Sequence, residues 1–182
     1  MSKVYLGAKF TNKQGSVFTV VAKTDLPKYY VVEFESGYTT TATDSNIMYG
    51  KVKDYFKPSV YGAGYLGAAF RIPQRNEGIL RKKYDLWANM LKRVYGNYRE
   101  TSTYHDVQVT PEWLNFSVFA NEIELVPGYD EWLKDSSMCL DKDLAQQRLY
   151  SRTTCQFITA SQNTQECLER RWKSKAESND FS

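Results

Sequence analysis

The sequence predicts an α+β protein with a small antiparallel β module at the N-terminus, a helical middle and a C-terminal strand–strand–helix unit. Three observations support this fold class. Short β-branched and aromatic runs alternate with turn residues in the first part of the chain. Residues 77–95 place apolar side chains at helical spacing instead. Two short apolar runs near the C-terminus precede a helix start. We therefore divide the chain into a β module (1–56), a connector (57–76) and a helical and C-terminal region (77–182).

The composition is that of a globular chain. Of the 182 residues, 42% are hydrophobic and 15% are aromatic, which is enough to build packed cores. No run approaches the roughly 18 apolar residues that span a membrane, and no apolar secretory segment follows the first methionine. Three cysteines without a CxxC pair favour reduced thiols over a disulfide framework. These features predict a cytoplasmic protein with no membrane partner.

The β module is predicted to contain three or four antiparallel strands. The first two flank a turn that ends at Gly15. Aromatic and β-branched residues at 29–34 predict a third strand, and a turn at 35–37 leads into a threonine-rich fourth strand. A sheet this small needs a partner surface or good closure to be stable.

The connector contains the glycine- and tyrosine-rich run 57–67. Glycine permits close backbone approach, so this run is suited to lie against a phosphate backbone. Tyr61 and Tyr65 would then pack on sugar or base. An ordered connector without a binding role explains the same pattern equally well.

Two helices are predicted in the middle of the chain. The apolar face of the first consists of Trp87, Met90, Leu91, Val94 and Tyr95. The dipeptide at 96–97, Gly-Asn, terminates that helix. The second begins with Thr110 as N-cap and Pro111 at the first helical position, and its aromatic stripe continues to Ile123. The period of this stripe favours a buried helix face over a ligand site.

Charge is distributed unevenly around a net value of +3. Residues 71–99 carry eight basic and two acidic side chains, whereas residues 100–182 carry eight basic and fourteen acidic ones. A basic middle can contact phosphates, and an acidic end can hold a divalent metal ion. A solvated basic helix would give the same pattern. Five basic residues are expected to lie largely off the apolar face of the first helix and are the candidate contacts to a DNA backbone: Arg81, Lys82, Lys83, Lys92 and Arg93.

The C-terminal unit is predicted from two strands and a helix start. Residues 139–144 form the first strand, 145–152 the connecting loop, and 155–158 the second strand. Thr159 and Gln162 have the spacing of a capping box, so a helix should begin directly after Thr159.

Asp141 on the first of these strands and Asn163 in the first turn of the helix provide a carboxylate and an amide oxygen. Mg²⁺ and Mn²⁺ prefer oxygen ligands and keep several waters, so two protein ligands suffice for a single ion. Such an ion can stabilise the leaving oxygen of a phosphodiester. The two residues are therefore candidate metal ligands.

The order of these segments resembles phage-encoded endonuclease-like proteins of the His-Asn-His group. The resemblance covers nearly the whole chain, including the opening sheet and residues 57–62. It implies a C-terminal ββα-metal unit, one Mg²⁺ or Mn²⁺ ion held by Asp141 and Asn163, and nicking or cutting of double-stranded DNA. The runs that carry it are WANMLKRVY (87–95), VTPEWLNF (109–116), LDKD (140–143), YS (150–151) and CQFI (155–158).

Two positions depart from the family pattern. The family's base histidine corresponds to Lys142 and its central asparagine to Thr154, so the resemblance makes both residues candidate catalytic positions. A lysine is a poor base at neutral pH unless its surroundings disfavour the charged form. Lys142 is therefore expected to contact the scissile phosphate or to act as a perturbed base. The one histidine, His105, is a candidate base if the fold brings it to Asp141, and otherwise a structural or exposed residue.

These features predict a metal-dependent DNA endonuclease that acts in the cytoplasm of a host cell and holds DNA with its N-terminal β module and its basic helical middle. One alternative is a catalytically inactive protein on the same scaffold that binds DNA or a host or phage protein. Another is a structural or host-interaction protein without DNA affinity, although the basic middle segment argues against it.

Overall fold

The structure is a computed structural model whose described part comprises residues 4–69, 71–96, 106–135, 137–142, 148–162 and 164–165. The chain is mixed α/β and forms two compact units. The first is built from residues up to Ser59 together with Tyr65–Arg71, and the second from Val60–Gly64 together with residues from Ile72 onwards. The segment predicted as a connector is thereby divided between the two units.

The first unit contains a four-stranded antiparallel sheet in the order β1-β2-β3-β4, which confirms the predicted N-terminal sheet. A short helix follows the last strand directly and was not predicted. Thr43 caps this helix, because its Oγ1 accepts a hydrogen bond from the backbone N–H of Asn46 (3.2 Å). The elements are β1 (Lys9–Thr11), β2 (Val17–Lys23), β3 (Tyr29–Phe34), β4 (Thr39–Thr43) and α1 (Asp44–Met48).

One face of this sheet carries the core of the first unit. Phe18, Val20, Val32 and Ile47 are fully buried there. The rings of Phe18 and Phe34 lie 5.2 Å apart. Burial of each such side chain stabilises the fold by about 1.5–3 kcal/mol. Helix α1 therefore supplies part of the surface that a sheet of this size needs.

In the part of the chain that the structure describes, the second unit contains helices α2 to α5 and two pairs of short strands. Helix α2 confirms the predicted first helix, since Trp87, Met90, Leu91 and Val94 are buried and Gly96 directly follows its last residue. Among the described residues, no helix combines the length and apolar character needed to cross a membrane. The elements are α2 (Gly78–Tyr95), β5 (Gln108–Val109), α3 (Pro111–Leu114), α4 (Phe116–Glu122), α5 (Tyr129–Lys134), β6 (Cys139–Asp141), β7 (Leu149–Tyr150) and β8 (Gln156–Ile158).

The prediction of one continuous second helix was wrong, because Asn115 separates α3 from α4. Its backbone is extended (ψ 112°), and its side chain accepts a hydrogen bond from the backbone N–H of Ser117 (3.1 Å). Asparagine is a preferred N-cap, so it begins a new helix here rather than continuing the old one. The aromatic stripe still crosses the break, with the rings of Trp113 and Phe119 4.9 Å apart.

The predicted loop at 145–152 contains a strand. Strand β7 pairs in parallel with β5, with Gln108 opposite Leu149 and Val109 opposite Tyr150. This pairing joins parts of the chain that are far apart in sequence, so the local pattern around β7 carried no sign of it. Strand β6 pairs with β8 in an antiparallel arrangement.

Candidate metal-binding site

The β6–β8 pair positions Asp141, the predicted metal ligand. Asp141 is the last residue of β6 and lies opposite Gln156 of β8. Residues directly opposite each other in an antiparallel pair project from the same face, so the carboxylate and the Gln156 amide share one face. Asp141 is buried, with 8% of its surface exposed. The predicted pairing of these two strands is confirmed.

Gln156 was missed in the sequence. Its amide oxygen is the kind of ligand that Mg²⁺ accepts beside a carboxylate. Its relation to Asp141 depends on the register of β6 against β8, which the sequence of either strand alone does not specify. The polar residue at the start of an otherwise apolar strand was the available signal.

The opposite face of β8 is anchored to α5. The ring of Phe157 stacks on Trp132 with centroids 5.0 Å apart. The backbone N–H of Phe157 donates to the carbonyl of Pro127 (2.8 Å). Gly128 adopts φ +84°, and a Cβ built there would lie 2.8 Å from the Phe157 carbonyl oxygen. The position of β8, and with it the site face, therefore depends on this close backbone approach.

Thr154 lies in the turn that leads into β8. Its Oγ1 donates to the carbonyl of Leu149 (2.6 Å) and accepts from the backbone N–H of Ser151 (3.1 Å). The Thr154 backbone N–H in turn donates to Ser151 Oγ (3.2 Å). Thr154 is only 4% exposed. The position predicted as catalytic thus carries a hydroxyl that fixes the turn before β8.

Replacement of Thr154 by valine is expected to lower the free energy of unfolding by about 1–3 kcal/mol, because it leaves buried polar groups of Leu149 and Ser151 without their partner. Thr154→Ser keeps the hydroxyl and should cost less. Urea unfolding followed by tryptophan fluorescence measures both values. A Thr154→Val protein as stable as the wild type would show that these hydrogen bonds do not hold the turn.

The Cys155 thiol is buried and interacts electrostatically with Asp141 and Lys142. Burial is the main cause that raises the pKa of Cys155 to about 12, and the Asp141 carboxylate adds to the rise while Lys142 opposes it. Both charged side chains therefore act on the thiol electrostatically. A thiol with this pKa stays protonated at neutral pH in the metal-free protein.

The predicted helix start after Thr159 is confirmed. Thr159 Oγ1 accepts from the backbone N–H of Gln162 (3.2 Å), and Gln162 Oε1 accepts from the backbone N–H of Thr159 (2.9 Å). Residues 160–162 are helical. Asn163 and His105 lie outside the described residues. Among the described residues, no three or more His, Cys, Asp or Glu side chains gather as a metal cluster.

Lys83, one of the five basic residues predicted to contact DNA, makes contacts within the protein. Lys83 is buried, 6% exposed, and its Nζ donates to the Ala120 carbonyl (2.7 Å) and pairs with Glu124. The expectation that Lys83 lies off the apolar face was wrong. Residue 83 precedes Trp87 by one helical turn and therefore lies on the buried stripe of α2.

Lys82 and Arg81 also make internal contacts. Lys82 Nζ donates to the carbonyl of Leu133 (3.2 Å) and lies 4.3 Å from the centroid of the Trp132 ring. A cation at the last carbonyls of α5 is favourable there. Arg81 pairs with Asp85 (2.7 Å). Both side chains thus have a structural role, which leaves less of their charge for a phosphate.

Lys92 and Arg93 are exposed in the last turn of α2. They occupy the position that the sequence predicted for them, off the apolar face of the helix. Of the five predicted basic contacts, these two are the most exposed. Lys142 is partly exposed directly after β6.

The two tyrosines of the glycine-rich run differ in their surroundings. Tyr61, 44% exposed, lies at a turn with φ +51°, unusual for a residue with a side chain. The turn is closed by a hydrogen bond from Val60 N–H to the Gly64 carbonyl (2.9 Å). Tyr65 is partly buried and packs against Phe56, with centroids 5.9 Å apart. Tyr61 is therefore the more accessible of the two predicted contacts.

No protein-family model matches the chain, and no match was found among curated proteins or solved structures. The resemblance to the His-Asn-His group therefore remains a prediction that rests on the sequence runs quoted above.

Proposed function

We propose that the protein is a His-Asn-His-like DNA endonuclease that uses one Mg²⁺ or Mn²⁺ ion held by Asp141 and Asn163. The observation that carries the proposal is the antiparallel β6–β8 pair with a buried Asp141, followed by a capped helix start. Oxygen ligands on this face, among them the Gln156 amide, suit a hard cation.

The chemistry of the site follows from its charges. A bound Mg²⁺ or Mn²⁺ would polarise the scissile phosphate and stabilise the leaving oxygen. The Asp141 carboxylate would hold the ion, and the Lys142 ammonium would bind a phosphate oxygen. A general base typically contributes about 10²- to 10⁴-fold to such a rate. With lysine at the base position, we therefore expect a slow endonuclease.

A second candidate function is DNA binding, or binding of a host or phage protein, without catalysis. Lys142 in place of a base and the enclosed hydroxyl of Thr154 favour it. This candidate predicts that DNA binding needs no divalent metal and survives the loss of Asp141.

Incubation of supercoiled plasmid with the purified chain distinguishes the two functions. The endonuclease proposal predicts conversion to open circles with Mg²⁺ or Mn²⁺ and none with EDTA. Plasmid that stays supercoiled on several DNAs, while the chain still binds them, would favour the non-catalytic function. The expected turnover is slow, so long incubations at high enzyme concentration are needed.

The double change Lys92→Gln and Arg93→Gln is expected to weaken binding to duplex DNA. Because two phosphate contacts are lost, the slope of log K against log salt should become smaller by about 1.8. Fluorescence anisotropy with a labelled duplex at several salt concentrations measures this. Lys83→Met removes a cation that the structure buries and serves as the control, with an unchanged slope. A slope lowered by Lys83→Met alone would contradict this assignment.

A further inference from the structure

A groove of about 250 Å³ lies in the first unit. It is lined by residues 40–42 of β4, by Asn46 of α1, by residues 51–53 and by Tyr55. Threonine hydroxyls from β4 and the Asn46 amide provide hydrogen-bond donors, while Lys51 and Lys53 provide two positive charges. Among the described residues, none of those that line the groove is acidic. The groove is therefore suited to an anion.

The two lysines have defined places because the segment that carries them alternates. Val52 and Asp54 are buried, with 7% and 6% of their surfaces exposed, whereas Lys51 and Lys53 are exposed. Period-two alternation of this kind is typical of an extended segment with one face on a core. Both lysines consequently lie on the same side of the segment.

Hydrogen bonds hold the backbone of this segment. The Val52 carbonyl accepts from Asn12 Nδ2 (2.9 Å), and the Asp54 backbone N–H donates to Gln14 Oε1 (2.9 Å). The Asp54 carboxylate accepts from the backbone N–H of Phe56 (3.0 Å). The one buried acid of the segment is thus engaged within the fold, and the two lysines are presented by a fixed backbone.

Aromatic side chains accompany the charges. Tyr49 is 67% exposed, and Lys51 Nζ lies 5.7 Å from the centroid of its ring. Tyr55 lines the groove beside Lys53. Lysines interleaved with aromatic rings are typical of surfaces that follow a nucleic-acid backbone, where the ring packs on sugar or base.

We propose that this groove binds the phosphate backbone of DNA through Lys51 and Lys53, with hydrogen bonds from Thr40, Thr41 and Asn46. The choice of DNA as the anion rests on the proposed function, while the anion site rests on the groove itself. Such contacts strengthen and orient binding but do not read the sequence. The β module would then hold the substrate rather than select it.

The test is fluorescence anisotropy of the full chain with a labelled DNA duplex over a range of salt concentrations. The Lys51→Gln and Lys53→Gln double variant should lower the slope of log K against log salt by about 1.8 and weaken binding about ten- to hundredfold near 0.1 M salt. Lys9→Gln with Lys23→Gln removes the same charge from exposed positions of β1 and β2, away from β4 in the strand order. This control should change the slope by much less.

Each outcome separates the groove from the catalytic proposal. Equal binding losses in the groove variant and the control would overturn the groove, whether or not the wild type nicks plasmid. A selective loss in the groove variant supports the groove even if the wild type nicks nothing, in which case only the catalytic proposal fails. If the wild type shows no salt-dependent DNA binding, the groove proposal is overturned, whatever the result of the nicking assay.

Discussion

Asp141→Asn is expected to remove divalent-metal binding and to slow metal-dependent nicking by more than about 100-fold. The change keeps the shape of the side chain and removes its charge. Changing a residue that contacts only the ligands of a metal typically lowers metal affinity or activity about 10- to 100-fold. Loss of a carboxylate that binds the metal directly should therefore lower them more. Because Asp141 is buried, the variant must also be checked for folding by urea unfolding.

Metal binding is measured directly by the electron paramagnetic resonance signal of free Mn²⁺ during a titration. Asp130→Asn makes the same chemical change at an exposed carboxylate of α5 and is the matched control. We expect wild type and control to bind one Mn²⁺ ion, and Asp141→Asn to bind none over the same range of Mn²⁺ concentration. Equal Mn²⁺ binding by Asp141→Asn and Asp130→Asn would show that Asp141 is not a ligand of the ion.

Gly128→Ala is expected to lower the free energy of unfolding by about 2–5 kcal/mol. Part of the cost, about 1–2 kcal/mol, comes from a side chain at φ +84°. The rest comes from a Cβ that would lie 2.8 Å from the Phe157 carbonyl oxygen, since relief of such a contact requires the backbone to move. That backbone is β8, so the variant should also weaken Mn²⁺ binding.

Gly62→Ala is the matched control for this variant. Gly62 has φ +72° and nothing within 4 Å of a built Cβ, so only the conformational cost should remain. Trp87, Trp113 and Trp132, the tryptophans among the described residues, lie in the second unit, and urea unfolding followed by tryptophan fluorescence therefore reports on that unit. Equal losses for the two variants would show that the approach of Gly128 to β8 is not tight.

Elements with a local signature could be predicted from the sequence. The strands of the first unit follow from β-branched and aromatic runs between turns, and α2 follows from the spacing of Trp87 to Val94. The capping box at Thr159 and Gln162 was predicted from two residue types three positions apart. In each case the signal lies within one short stretch of chain.

Features that depend on distant partners could not be predicted in this way. Strand β7 exists because of its pairing with β5. Asn115 competes as a cap with the helix around it, and propensity alone did not decide between them. The same applies to the candidate site, where the pairing of Asp141 with Gln156 depends on register. The position of Lys83, by contrast, follows from its spacing, because a residue one helical turn before Trp87 lies on the buried stripe whatever its charge.

The nicking rate of supercoiled plasmid at saturating Mn²⁺ decides whether Asp141 and Asn163 hold a catalytic metal, when it is measured for wild type, Asp141→Ala and Asn163→Ala with Asp130→Asn as control. We expect slow nicking by wild type and control that EDTA abolishes, and loss of nicking in both Asp141→Ala and Asn163→Ala while all four proteins still bind DNA. Nicking that persists at the wild-type rate in Asp141→Ala would contradict the assignment of the metal-dependent site to the β6–β8 pair.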